Sequence, residues 1–581
     1  MGDPTADSNA LNLAVDQKDD IEGRNLKPQS GIKEQYVVSQ DHIHKKRPLR
    51  MICIGAGIAG IAAAYKYQRR LSDVSFSIYE KNHDVGGTWL ENRYPGCACD
   101  IPAHGYTYSW EGNPEWSRFY VEAPEIHAYF KGCAVKWDCM KYIKLGHRVI
   151  RVEWSSTDSV WEVTVEVLAT GAIIHDRCEV LLSATGVLNN WKWPAIDGLN
   201  NFKGKLLHSA RWDDSYDFTD KTVAVIGAGS SAIQIVPNLT PKARKMINFI
   251  RSPTWITPEF SQSLATEGRD TKFAAEEIER FKTDKKYFLQ YRKLVQNTGS
   301  SNFGTFYKGS PRQLEAVKNF SAMMKKRLKD DEALAAQFIP KFPVGCRRYT
   351  PGSGYLEALV ADNSQVIMNE IDHIDSKGLV TKDGNHYAVD ALICATGFDT
   401  SFRPAFPVIG LDGRNLAEYW GEEPLHYLSI AVPGFPNYFI IGGPNSPIAN
   451  GSLISGLEVE IDYAYSCVEK MQTEDVASLE VKEEAMQDFI EHRNEAMKAF
   501  VWSGECRSWY KNGKLDGPVI GPWPGSSWHF NEALATPRFE DYNLRYVRRN
   551  RFAYLGYGRT RREELGESTA EHLTEEGIVG T

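Results

Sequence analysis

The sequence predicts an α/β protein made of two βαβ units, the second inserted into the first, with a helical lobe inside the second. Three observations predict it. An apolar strand signal runs into a glycine-rich turn and then an apolar helix signal twice, beginning at Leu49 and at Thr222. The turns Ala184-Thr185-Gly186 and Ala395-Thr396-Gly397, each closing an apolar strand signal, bracket the second of these openings. From about 258 to 341 the chain becomes helix-like and rich in charge, broken at Thr298 to Gly304 by a Gly/Ser segment that reads as a mobile loop.

Taken in order, residues 1–47 are polar and poor in aromatics and end in His44-Lys45-Lys46-Arg47, so they read as a flexible extension with a solvated basic run. The strand from Leu49 to Ile54 then leads into Gly55-Ala56-Gly57-Ile58-Ala59-Gly60. Glycine at 55, 57 and 60 leaves out a side chain at three places: where the turn is tight, where a pyrophosphate approaches the backbone, and where helix packs on strand. The helix start offers free N–H groups to that phosphate. The next strand, Phe76 to Tyr79, ends in Glu80, a carboxylate placed to accept from both hydroxyls of an adenosine ribose.

The second opening, Thr222 to Ile226, continues as Gly227-Ala228-Gly229-Ser230-Ser231-Ala232, with alanine at the third glycine position. Here the strand Ile247 to Ile250 ends in Arg251 rather than a carboxylate. A guanidinium suits a 2′-phosphate, which predicts NADPH over NADH; the plainer reading is a surface arginine at a strand end. Two dinucleotide sites of opposite ribose chemistry imply one cofactor held tightly and one that visits, and FAD first with NADPH second is the economical assignment. The expected fold is therefore two Rossmann-like dinucleotide-binding domains. Residues 48–190 form the first part of the FAD domain, 191–384 the NADPH domain with its helical insertion, and 385–581 the second part of the FAD domain with an aromatic C-terminal region. Gly86-Gly87-Thr88-Trp89, Asn92 to Gly96 and Asp100 supply loops to cover the flavin ring.

Length and composition bound the rest. At about 150 residues per domain, 581 residues are too many for one core. Apolar content of 42 % and charged content of 24 % exclude a wholly disordered or collagenous chain. Lys plus Arg numbers 67 against 75 Asp plus Glu, a net −8, so no whole-chain positive field would hold a nucleic acid. The ten cysteines lack paired spacing, which predicts reduced thiols, and Cys97-x-Cys99 has no second pair to complete a metal site. No apolar run approaches the ~18 residues of a membrane span, and the start MGDPTADSNA lacks a basic-then-apolar pattern; the expectation is a cytosolic protein. Fifteen Trp, 27 Tyr and 25 Phe fit either a large pocket or large cores.

Phe202, Gly204, His208, Trp212 and Asp213 complete the pattern F-x-G-x-x-x-H-x-x-x-W-D. With the two glycine motifs and the two A-T-G turns, this resembles the type I Baeyer–Villiger monooxygenases, within the class B flavoprotein monooxygenases, over about residues 50–450. From Leu457 onward the chain is more similar to fungal members. The resemblance implies that NADPH reduces FAD, that O2 is captured as a flavin peroxide, and that one oxygen is inserted beside a ketone carbonyl to give an ester or lactone. It implies Arg348 as the catalytic cation, held by Asp100. Arg347 becomes a ligand of the 2′-phosphate, where members more often carry Lys, and Ser252 touches the same phosphate. Cofactor contacts are implied at Gly87, Thr88, Trp89, Tyr106, Ala395, Thr396 and Asn445. His208 reads as a hinge residue in a linker between the domains, and Trp212 as packing. Trp502, Trp509, Tyr510, Trp523, Trp528, His529 and Phe530 either wall a substrate pocket or are structural. The resemblance implies O2 and a ketone as substrates, and a large aromatic wall suggests a bulky, polycyclic ketone of terpenoid, steroid or polyketide type. The rivals are N- or S-oxygenation or hydroxylation by the same flavin chemistry and a non-catalytic flavoprotein; a flavin disulfide reductase lacks its C-x-x-C. The oligomeric state stays open.

Overall fold

A computed structural model of the chain describes residues 36–265, 271–568, 570 and 573. Most of the flexible extension expected at 1–47 lies outside the described residues. Where the extension is described it is tied down: Arg47 donates to the carbonyls of Met471 at 3.2 Å and Val476 at 2.6 Å, and Lys46 to Ser72 at 2.9 Å, so the basic run is not simply solvated.

Two five-stranded parallel sheets form the body. The first runs in the order Tyr438–Ile440, Val180–Ser183, Leu49–Ile54, Val74–Tyr79, Ile143–Lys144. The second runs Ser364–Ile367, Lys245–Phe249, Thr222–Ile226, Ala391–Cys394, Lys205–His208. Their inner strands are apolar and buried on both faces, as in Val180–Ser183 and Ala391–Cys394, which is what strands covered by helices on both sides require. Ala391–Cys394 departs from expectation. It was expected to open the returning half of the first domain at 385, but it pairs with Thr222–Ile226 and Lys205–His208 in the second sheet. The chain re-enters the first sheet at Tyr438–Ile440, where Tyr438 faces Leu181. An apolar strand ending in a glycine turn suits either sheet, so the residues alone do not choose. Lys205–His208 is likewise an edge strand of the second sheet and not a linker.

The helical lobe is Ala275–Thr283, Lys285–Ser300, Pro311–Arg327 and Glu332–Phe338. The expected mobile loop is instead the end of the second of these helices and a 3-10 turn, Phe303–Phe306. Phe306 is 4 % exposed and packs with Phe500 and Trp502, which anchors the turn. The C-terminal aromatics are mainly structural: Trp502, Tyr510, Trp523 and Phe530 are buried, while Trp528 is exposed. Cys346 and Cys506 form a disulfide, against the expectation of reduced thiols; they lie 160 residues apart, and no spacing rule announces such a pair. The other eight cysteines are buried and form no disulfide. No helix among the described residues is long and apolar enough to cross a membrane.

Candidate active site

The first cradle is made by missing side chains. Gly55 has φ +103°, and a Cβ there would stand 2.6 Å from the Ala184 carbonyl oxygen. At Gly60 a Cβ would meet the Gly55 oxygen at 2.1 Å, which is how the helix Ile58–Arg70 comes down onto the strand end. Gly57 and Gly87 face one another across the opening, a Cβ on Gly87 reaching the Gly57 Cα at 3.0 Å. Glu80, 4 % exposed, accepts from the Ala56 N–H at 2.7 Å and the Asn82 N–H at 2.8 Å. Both oxygens keep a lone pair for a ribose hydroxyl. Thr88 is exposed at the cradle's rim, and the Trp89 indole N–H donates to the Tyr106 hydroxyl at 3.3 Å, fixing two rings over the same loop. Burial raises the Tyr106 phenol, which stays neutral.

The second cradle repeats the geometry with a different rim. Gly227 has φ +127° and sits with its missing Cβ 2.5 Å from the Ala395 oxygen, while nothing stands within 4 Å of one at Gly229. Ser230 is exposed, and Ser231 stands at the N-terminal boundary of the helix Ala232–Leu239 without a side-chain capping bond. Arg251 is exposed, two residues beyond the strand Lys245–Phe249. Arg347 crosses to it: its guanidinium donates to the Ser252 hydroxyl at 3.3 Å and the Pro253 carbonyl at 3.2 Å, and lies 5.0 Å from the Phe342 ring centre. Its Nε is buried with no partner. Burial first, then Arg251 and Arg507, pull its pKa down to about 10. The two cradles thus differ at their rims, one offering a carboxylate and the other cations.

Arg348 follows Arg347 in the chain. It donates to Asp100 three times, from Nη2 at 2.9 Å to each carboxylate oxygen and from Nε at 3.2 Å, and from Nη1 to the Ile448 carbonyl at 2.7 Å. Burial alone would lower its pKa, but Asp100 outweighs that and holds it above the ordinary arginine value. The side chain, 30 % exposed, borders a cavity walled by Pro102, Val295, Phe260, Phe306, Tyr349 and Ile448, with Gln296, Asn302 and Asn450 as its amides. The helical lobe supplies one wall, which the sequence did not announce. The Ile448 carbonyl was missed too, having no side-chain signature.

The fingerprint residues are architectural. Phe202 is buried, and a Cβ on Gly204 would stand 2.6 Å from the Asp390 oxygen. His208 is fully buried, accepts from the Ala210 N–H at 3.1 Å, is hydrogen-bonded to the Thr396 hydroxyl at 3.3 Å and stacks on Trp191. Burial lowers its pKa to about 4, so it is neutral at pH 7 and ties the edge strand to the second A-T-G turn. Trp212 stacks on Phe218. Asp213 pairs with Lys205 and accepts from the Ser215 N–H at 2.9 Å, which holds its carboxyl below the usual range.

The Asn445 side chain, expected at a cofactor contact, is bonded within the protein. It is fully buried, and its amide donates to the carbonyls of Val519 at 2.8 Å and Pro522 at 2.7 Å. Its oxygen accepts from His426 at 2.9 Å and Arg493 at 3.3 Å. The side chain is used up in anchoring the C-terminal region. Beside it Glu460, also missed, accepts from the Gly442 N–H at 2.6 Å and the Ser446 hydroxyl at 3.3 Å; burial pushes its carboxyl up to about 8.

The chain is similar to known proteins in family and fold. Residues 53–123 match the NAD(P)-binding Rossmann-like domain family, and residues 115–332 match L-lysine 6-monooxygenase/L-ornithine 5-monooxygenase. The FAD-binding monooxygenase tazF of Aspergillus terreus is 42 % identical over 519 residues, 88 % of this chain and 92 % of its own. A Baeyer-Villiger monooxygenase of Pseudomonas aeruginosa is 33 % identical over 494 residues, 83 % and 89 % of the two chains. Among solved structures, oxidized steroid monooxygenase bound to NADP superposes with a TM-score of 0.73 at 27 % identity, over 86 % of this chain and 99 % of its own.

Proposed function

The chain belongs to the class B flavin monooxygenases, the family that includes the Baeyer–Villiger enzymes, and from that premise we propose that it converts a ketone to an ester or lactone. It is an NADPH-dependent flavin monooxygenase with FAD and NADPH as cofactors. We assign FAD to the cradle of Gly55, Gly57, Gly60, Gly87 and Glu80. NADPH goes to that of Gly227, Gly229, Ser230, Arg251, Ser252 and Arg347. Held in the first cradle and reduced by NADPH, FAD would activate O2 for transfer of one oxygen atom, the other leaving as water.

What carries the ketone reading is the fixing of Arg348. Oxygen attack on a ketone carbonyl places negative charge on the carbonyl oxygen, and a preoriented cation beside a cavity with an apolar wall stabilises that charge without reorganising. Three contacts to Asp100 and one to Ile448 set the direction of the guanidinium, and the raised pKa keeps it charged through the working pH range. The apolar wall of Pro102, Val295, Phe260 and Phe306 favours a largely hydrocarbon ketone, and one structural neighbour is named a steroid monooxygenase.

A second reading, oxygenation of an amine or sulfide, draws on the match to the lysine and ornithine monooxygenase family. A soft nucleophile attacks the activated oxygen directly and develops no carbonyl oxyanion, so Arg348 matters little to it. Arg348→Ala with a panel of cyclic, aryl and polycyclic ketones and of amines and sulfides separates the two. Gain of one oxygen is read by mass. Loss of ketone oxidation by about 100- to 1,000-fold, the cost of one preorganised donor, with heteroatom products retained, supports the proposal; ketone oxidation at the parent rate sinks it.

A further inference from the structure

The segment after Gly504 has no role in any of this, yet it is tied to the site's most charged loop. Cys346, the residue before Arg347, is bridged to Cys506, the residue before Arg507, with their Cα atoms 6.4 Å apart. The segment is stiff. Lys511, 2 % exposed, donates to the carbonyls of Gly504 and Leu515, both at 2.5 Å, and Tyr510 donates no solvent-facing surface, being 1 % exposed. Arg251, Arg347 and Arg507 therefore come from three separate parts of the chain and gather at one place, close enough that Arg251 and Arg507 both disfavour the charge on Arg347. No carboxylate pairs with any of the three among the described residues. Arg251 and Arg507 are exposed, and the Nε of Arg347 is buried without an acceptor.

Three cations collected without a counter-ion repel one another; a compact dianion with several acceptor oxygens relieves this and fills the empty donor. Ser252 beside them adds a hydroxyl. We propose that Arg507 is a third ligand of the NADPH 2′-phosphate and that the Cys346–Cys506 bridge holds it there; this rests on the assignment of NADPH to the second cradle. The C-terminal region then takes part in choosing the cofactor, although it lies far in sequence from both nucleotide motifs.

The test is calorimetric binding of 2′,5′-ADP and of 5′-AMP to the FAD-loaded protein, since the two ligands differ by the 2′-phosphate alone. Arg507→Ala should weaken 2′,5′-ADP by about tenfold, the lower end for one charge-assisted contact, and leave 5′-AMP unchanged. Arg507→Lys should keep most of the affinity. Cys506→Ala should give a similar loss for 2′,5′-ADP. The double variant Cys506→Ala/Arg507→Ala should lose no more than either single variant, because the bridge acts through the arginine. Unchanged 5′-AMP binding shows that each variant folds. If Arg251→Ala weakens 2′,5′-ADP and Arg507→Ala does not, the third-ligand proposal is overturned while the NADPH assignment stands. If Arg251→Ala and Arg347→Ala also leave 2′,5′-ADP unchanged, the assignment itself falls. Additive losses in the double variant would overturn the role given to the disulfide.

Discussion

Asp100→Asn tests whether the orientation of Arg348, and not merely its charge, carries the chemistry. In the parent, one carboxylate oxygen receives two of the three contacts, from Nε at 3.2 Å and Nη2 at 2.9 Å, and the other receives one, from Nη2 at 2.9 Å. An asparagine turned to keep its oxygen at the doubly bonded position retains two contacts and loses one, and its amide hydrogens then face a donor. One charge-assisted contact is worth about 1.5 to 3 kcal/mol, so ketone turnover should fall by about 10- to 150-fold. Asp100→Ala loses all three and leaves the cation held by the Ile448 carbonyl; its loss should approach the 100- to 1,000-fold or so expected for removing the arginine. The assay is kcat for product formation beside the anaerobic rate of flavin bleaching by NADPH. The first should fall and the second should hold. Since Asp100 is argued to act through Arg348, Asp100→Ala/Arg348→Ala should be no slower than Arg348→Ala. Losses that multiply in the double variant, or an Asp100→Ala protein with parental ketone turnover, would refute the reasoning.

Two further outcomes are expected. The Glu460 carboxyl, ordinarily near 4.5, is pushed to about 8 in the folded protein. Between those values the folded state keeps a proton that the unfolded chain releases, so the group's contribution to stability falls as pH rises and is fully lost above about 8. Glu460→Gln should remove that slope, gaining on the order of 3 to 5 kcal/mol over the parent between pH 5 and 9 in urea unfolding; an identical pH profile for both proteins would contradict it. Gly87→Ala forces an L side chain to φ +52° with its Cβ 3.0 Å from the Gly57 Cα, inside the first cradle. Bound flavin per chain, read from visible absorbance, should drop severalfold while 2′,5′-ADP binding persists; full flavin content would contradict the cradle assignment.

What could be read in advance follows physical locality. A strand, a glycine turn and a helix start are adjacent residues, and Gly55, Gly57 and Gly60 carry their backbone demands with them, so both openings were legible. Arg251 was legible because it lies just beyond its strand. The sheet joined by Ala391–Cys394 was not, because the pairing depends on which of two equally apolar edges is free. Nor was the disulfide, joining residues 160 apart, or the Ile448 carbonyl, which any residue could have supplied. The site is built from such long-range contacts: Arg348 meets Asp100 across 248 residues and Ile448 across 100. Motifs therefore name the ingredients, and the fold supplies the field.

That distinction has a consequence for the two halves of the proposed chemistry. The formal charge of −8 is a whole-chain count, whereas Arg251, Arg347 and Arg507 form a local concentration of positive charge with no paired carboxylate among the described residues. Arg348, one residue further along, is by contrast paired with Asp100. Neighbouring arginines in one loop thus have opposite electrostatic tasks. The unpaired group attracts a mobile dianion, and its effect should fade with salt over a Debye length of about 8 Å at physiological ionic strength. The paired cation, recessed against its cavity, should be nearly indifferent to salt. Cofactor choice and ketone activation consequently rest on separate charges, and raising ionic strength should weaken NADPH binding while leaving the oxygenation step itself unchanged.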